Sequence, residues 1–134
     1  MVGVFLIPPG TLGESLILCA CPVLNRRPLQ IVQLGVAAQD DPLDVLPLAR
    51  DMLQLVDSGE GVLLLTDIFG ATPSNIALKL LQPGHVEGVA GASLPMLLRA
   101  LTYREKDLDT LVAKTVAGGR DGVLQTRGAR DAAG

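Results

Sequence analysis

Two apolar rhythms alternate along the chain. Short β-rich runs at Val2–Ile7, Leu29–Leu34, 61–66 and Val86–Ala90 have the length of buried strands. Between them, apolar residues recur every three or four positions, as on the inner face of a helix. Thr11 and Glu14 have capping-box spacing and open a helix over 12–21, with Leu12, Ser15, Leu16 and Cys19 in helical register and Pro22 ending it. Asp40, Asp41 and Pro42 open a second helix, with Val45, Leu48, Ala49, Met52, Leu53 and Val56 on its apolar face. Pro47 either lies inside that helix or marks its true first turn. Asp57-Ser58-Gly59 stops it.

The third strand delivers Asp67 to its carboxyl end, and a turn through Gly70 follows. Thr72 is then a helix cap, with Pro73 at the first helical position, where a missing N–H costs nothing. That helix covers 73–82 and ends at Gln82-Pro83-Gly84. Ser93 caps a helix through Leu101, and Asp107 caps another over Leu108–Ala117 that Gly118-Gly119 breaks. Val123–Thr126 is a last short strand, and 128–134 is a loose tail beyond a single domain, 1–127.

Four strand–helix units in a row predict an α/β fold, with a doubly wound parallel sheet buried on both faces. Strand direction then gathers Pro8–Thr11, 36–41, Asp67–Thr72 and Gly91–Ser93 at the carboxyl edge, where open α/β sheets hold ligands. Asp67, Thr72, Ser74 and Ser93 are the candidate side chains of this crevice. Gly10, Thr11 and Gly70 belong to the same loops, and free N–H groups at helix N-termini favour an anion such as phosphate there. A plainer reading competes on spacing alone: Thr72 and Ser93 are only caps, and Asp67 only bonds a neighbouring loop.

The segment Asp67-Ile68-Phe69-Gly70-Ala71-Thr72-Pro73-Ser74-Asn75 resembles the signature of the mannose-family enzyme IIA of the phosphoenolpyruvate-dependent sugar phosphotransferase system. Gly91-Ala92-Ser93-Leu94-Pro95-Met96-Leu97 and Gly119-Arg120-Asp121-Gly122-Val123 resemble two further motifs of that family at matching spacing. The resemblance implies a sheet order of 2-1-3-4. It also implies a fifth, antiparallel strand exchanged within a homodimer, here at 118–127 with Gly118-Gly119 as hinge. It implies phosphoryl relay from the phosphocarrier HPr to a IIB domain during sugar uptake. The residue matching Asp67 orients a phosphorylated histidine, and the one matching Thr72 lies near the phosphoryl group. Pro8-Pro9-Gly10 stands where the family has Thr-His-Gly, so Pro9 occupies the acceptor position.

Proline's ring nitrogen is consumed in a tertiary amide and cannot accept phosphate, so the implied relay at the usual place is lost. The sole histidine, His85, precedes the fourth strand, at the opposite edge. Five strand residues at ~3.3 Å each put it roughly 15 Å or more from the crevice. Thr11, Thr72 and Ser74 carry hydroxyls but no evident base. An aspartyl phosphate on Asp67 would need an acidic metal-binding pair after the first strand, where Pro8-Pro9 stand. A non-catalytic protein that engages phosphotransferase partners is therefore the alternative function.

Composition narrows the picture further. Net charge is −3 with no basic stripe, which disfavours nucleic acid. No apolar run is long enough for a membrane span, and no signal peptide is recognisable, so a cytoplasmic protein is expected; association with a membrane transporter complex is left open. Two cysteines, Cys19 and Cys21, are too few for a zinc site and read as reduced thiols, and neither metal nor cofactor is expected. Arg26-Arg27 and the cluster Arg104-Glu105-Lys106-Asp107 read as solvated loops.

Overall fold

The protein is described by a computed structural model, and the residues described are 1–128. Its elements, in chain order, are β1 (Gly3–Leu6), α1 (Leu12–Leu24), β2 (Ile31–Gln33), α2 (Pro42–Val56), β3 (Val62–Thr66), α3 (Thr72–Leu78), β4 (Val86–Ala90), α4 (Leu94–Thr102) and α5 (Leu108–Asp121). The four strands pair in the order β2-β1-β3-β4, every pair parallel. This is the expected doubly wound sheet. Successive side chains of a strand point to opposite faces, and the core divides accordingly. Val4, Leu6, Leu63 and Leu65 pack with α1, α4 and α5. Phe5, Ile7, Val62 and Leu64 pack with α2 and α3.

Both internal prolines are tolerated for one reason. Pro22 lies inside α1 and Pro47 inside α2. The carbonyls they leave without a helical donor belong to Leu18 and Leu43, whose residues are 57% and 73% exposed, on the solvent side of each helix. The helix that Pro22 was expected to end runs on to Leu24, where Asn25 adopts a left-handed conformation and closes it. The capping box at its start does not form. Thr11 makes no side-chain cap bond, and Glu14 pairs instead with the exposed Arg27 at 3.0 Å.

The third helix is shorter than expected and starts one residue earlier. Ala71 is its cap, Thr72 its first residue and Pro73 its second. Beyond Leu78 the chain tightens through Lys79 N–H to Ile76 O and Leu80 N–H to Ala77 O, and Gln82 then pairs with Val86 around Pro83-Gly84. This pairing draws 79–82 out of the helix.

Gly118-Gly119 does not break α5. These glycines are where α5 lies against α4. A Cβ on Gly118 would fall 2.5 Å from Arg99 Cβ, one on Gly119 2.7 Å from Met96 Cε, and one on Gly122 2.5 Å from Pro95 Cβ. Close backbone approach outweighs the poor helix propensity of glycine. After Gly122 the expected strand at Val123–Thr126 is absent among the described residues: the segment has no regular structure, and Val123 and Leu124 are 83% and 78% exposed. The tail expected over 128–134 lies outside the described residues, apart from Gly128.

Arg104, expected in a solvated loop, is 5% exposed. Its Nε and Nη2 donate to Val2 O, its Nη1 to Leu29 O and its Nη2 also to Gln30 O. It thereby ties the α4–α5 connection to the starts of β1 and β2. Burial, partly offset by Glu105, lowers its guanidinium to about 10, so it stays charged at neutral pH.

The packing of Gly118 yields a signed prediction. In urea unfolding, Gly118→Ala loses about 1–3 kcal/mol through overpacking against Arg99. If Gly118 were a hinge free of contacts, the same change would instead gain roughly 1 kcal/mol of helix propensity.

Candidate functional site

The central rim is set by strand register. Leu6 of β1 pairs with Leu65 of β3, and Ile7 N–H donates to Leu65 O. Two residues further on, Pro8 and Asp67 leave the sheet at the same level. Cross-bonds then stitch the four carboxyl-edge loops together. Pro9 bridges to Val36, and Val36 N–H donates to Pro8 O at 3.0 Å. A Cβ on Gly35 would lie 2.1 Å from Gly10 O, so these two loops touch backbone to backbone. Thr72 Oγ1 donates to Ala38 O at 3.3 Å, joining the β3–α3 loop to the β2–α2 loop. Gly91 N–H donates to Asp67 O and Ala92 N–H to Thr66 O, joining the β4–α4 loop.

The candidate residues divide among these loops. Pro9, Gly10, Asp67 and Thr72 belong to the stitched rim, Pro9 and Gly10 being exposed. Gly10 and Gly70 are left-handed, at φ 52° and 92°. Thr11 is an exposed residue at the start of α1. Ser93 accepts Met96 N–H at 3.4 Å and is committed to capping α4. Ser74 is buried, and with Thr66, Phe69 and Leu78 it lines a cavity of about 90 Å³ beside β4. Thr72 is not a helix cap; its hydroxyl is a loop-to-loop tie.

Two polar atoms on this rim lack partners. Asp67 Oδ1, at the exit of β3, and Gln33 Oε1, at the end of β2, are buried without a hydrogen-bond partner among the described residues. β1 lies between these strands, and its exit is Pro8-Pro9, neither of which has an N–H to offer. Gln33 is in register with Leu6 and lies beneath α1, where a Cβ on Gly13 would fall 3.0 Å from its Oε1. Buried acceptors are almost always satisfied in folded proteins, so the open Asp67 Oδ1 marks the exit of β3 as a candidate ligand-facing position. Gln33 had no distinguishing signal in the sequence; it emerges only from the register of β2 beside β1.

Charge on this rim has one sign. The segments 8–13, 35–42, 67–74 and 91–95 hold Asp40, Asp41 and Asp67 and not one Lys, Arg or His. Asp40 Oδ2 accepts Ala37 N–H and Asp41 Oδ1 accepts Leu43 N–H, the latter capping α2 as expected. Arg120 approaches Gly91 and Met96 across a separate cavity beyond β4.

The opposite edge holds the imidazole. His85 Nε2 lies 2.6 Å from Asp57 Oδ2. Asp57 is the residue that stops α2, and Gly59 N–H donates to its Oδ1. This pair was not read from the sequence, because Asp57 and His85 meet only once β3 and β4 are aligned and Val62 N–H bonds His85 O. Among the described residues, no group of three or more His, Cys, Asp and Glu side chains is placed to hold a metal ion.

A small doubly wound domain with an acidic, partly unsatisfied crevice at its carboxyl edge is the class defined by this fold and site. The family EIIA-man, described as "PTS system fructose IIA component", matches residues 13–116, and the chain belongs to it. The matched span includes Asp67 and Thr72 and begins after the Pro8–Gly10 turn. The "PTS system mannose-specific EIIAB component" of Escherichia coli (strain K12) is 40% identical over 74 residues, 53% of this chain and 23% of that protein. The match thus spans about a quarter of the curated relative. Two solved structures share the fold. The "Mannose/sorbose specific IIA subunit of phosphotransferase system" from Enterococcus faecalis has a TM-score of 0.82 at 21% identity, covering 94% of this chain and 95% of that one. The "phosphotransferase system component EIIA" from Streptococcus agalactiae has a TM-score of 0.78 at 22% identity, covering 93% and 97%.

The Asp57–His85 pair sets a pH response. Partial burial pushes the Asp57 carboxyl up, but the His85 hydrogen bond and the Gly59 and Gly61 amides outweigh it and hold the carboxyl below its usual range. A depressed folded value stabilises above the unfolded value of about 3.9 and is lost as pH falls through the lower folded one. Chemical denaturation followed from pH 6 to pH 2 therefore shows a decline below pH 4 that is shallower in Asp57→Asn.

Proposed function

We propose that this chain is a phosphotransferase-system IIA protein that engages HPr and a IIB domain through its Asp67 crevice but does not carry the phosphoryl group. The observation that carries this reading is the position of the sole imidazole. His85 is held by Asp57 at the amino edge of the sheet, while the turn beside Asp67 ends in Pro8-Pro9. Relay requires the P–N bond of a donor phosphohistidine to break as a new P–N bond forms on an acceptor ring nitrogen. Pro9 has no lone pair free for that bond, and the nearby hydroxyls of Thr11 and Thr72 have no basic side chain in their loops. Docking without turnover makes the protein a binding or regulatory component of sugar uptake, and the names of its relatives support the mannose, fructose and sorbose group as context.

The reading includes a homodimer. The outer edge of β4 has no strand partner among the described residues. The exposed, irregular Val123–Thr126 segment has the length to add to such an edge in a second copy.

Incubation with enzyme I, HPr and labelled phosphoenolpyruvate tests the reading. The wild-type chain takes up no stoichiometric acid-labile label, and Pro9→His takes up label that the double change Pro9→His/Asp67→Ala loses. Stoichiometric acid-labile label on the unaltered chain overturns the reading.

A further inference from the structure

We propose that the cleft between the ends of α1 and α4, at the sheet edge opposite the Asp67 crevice, binds a small monocarboxylate between the guanidiniums of Arg104 and Arg26. The cleft has a volume of about 110 Å³ and is lined by Leu24, Arg26, Pro28, Leu29, Leu101 and Arg104. Arg104 is 5% exposed, yet among the described residues no carboxylate lies within ion-pairing distance of it. Burying a cation is costly unless a counter-charge meets it. Its bonds to the carbonyls of Val2, Leu29 and Gln30 use the Nε–H, both N–H groups of Nη2 and one of the two on Nη1. One Nη1 N–H is left without an acceptor among the described residues. Arg26 lines the same cleft, is exposed, and its side chain has no ion pair or hydrogen bond among the described residues.

The two guanidiniums act against each other: the charge of Arg26 adds to burial in making protonated Arg104 harder to hold. The neighbouring carboxylates are engaged elsewhere. Glu60 holds the Met1 amine, Glu105 lies 3.7 Å from the same nitrogen, and Glu14 holds Arg27. Glu105 favours the Arg104 charge without pairing with it. The helix ends beside the cleft are closed, Arg26 N–H donating to Cys21 O and Tyr103 N–H to Arg99 O. An anion entering here is therefore the missing counter-charge. A carboxylate matches the planar guanidinium fork with two oxygens, where a phosphate brings more oxygens and more charge than the free donors can meet. The walls select what is attached to it. Leu24, Leu29 and Leu101 offer apolar surface to a short hydrocarbon tail. An apolar cavity of about 150 Å³ holds benzene, so 110 Å³ suits about four to six non-hydrogen atoms.

The cleft is separate from the Asp67 crevice, so its test needs no phosphotransferase partner. The probe is sodium butyrate, titrated at pH 7 and constant ionic strength into the ¹⁵N-labelled chain. The Arg104 Nε–H signal and the amides of Arg26, Leu29 and Gln30 shift saturably, with a dissociation constant on the order of 1–10 mM, as suits a six-atom ligand. Butanol, which keeps the tail and lacks the charge, binds at least threefold more weakly. Inorganic phosphate, which keeps the charge and lacks the tail, also binds at least threefold more weakly. Arg26→Gln changes an exposed side chain, so its spectrum stays native, and it weakens butyrate at least threefold. Leu29→Glu sets a carboxylate on the wall of the cleft at a residue 71% exposed, and it abolishes the shifts. The proposal is overturned by the absence of saturable shifts at about 50 mM butyrate. It is overturned equally by butanol or phosphate binding as tightly as butyrate, or by butyrate affinity unchanged in Arg26→Gln or Leu29→Glu.

Discussion

The parallel pairing of β1 with β3 is the constraint on which everything functional depends. It is the central pair of the sheet, buried on both faces, and its register puts the exit of β1 level with the exit of β3. Neither Pro9 nor Asp67 has a local reason to be near the other; 58 residues separate them in the printed numbering. Val4, Leu6, Leu63 and Leu65 on one face, and Phe5, Val62 and Leu64 on the other, hold the pair between two helical layers. A slip of one residue would exchange the side chains packed against α1, α4 and α5 for those packed against α2 and α3, so the fit of the two core layers also holds the rim.

The same alternation explains why so much of the fold was legible. The strands are short, largely apolar runs, the caps at Asp41, Ser93 and Asp107 sit where local chemistry requires an acceptor, and all three form. The misreadings share a cause: local signals decided by distant packing. Pro22 looks like a helix end, yet it is exposed to water inside α1, which runs on to Leu24. Gly118-Gly119 looks like a hinge, yet it is the surface on which Arg99 and Met96 rest. Arg104 sits in a run of charges, yet three backbone carbonyls at the start of β1 and β2 claim its guanidinium.

The candidate site was legible in part. Asp67 and the Pro8–Gly10 turn follow from strand direction alone, and they are on one rim. Thr72 belongs there too, but as a tie to Ala38 rather than a cap. The expectation of an anion-friendly crevice came from helix N-termini, and the charged side chains of its loops are Asp40, Asp41 and Asp67. What no spacing in the chain announces is the open acceptor on Asp67.

The arrangement of the two edges is the central claim, and nuclear Overhauser contacts test it most directly. The account predicts cross-peaks from the ring protons of Pro8 and Pro9 to Asp67 or Ile68, and from the His85 ring to Asp57, with none from His85 to Asp67. Contacts between the His85 ring and Asp67, or Pro9 remote from the β3–α3 loop, would contradict it.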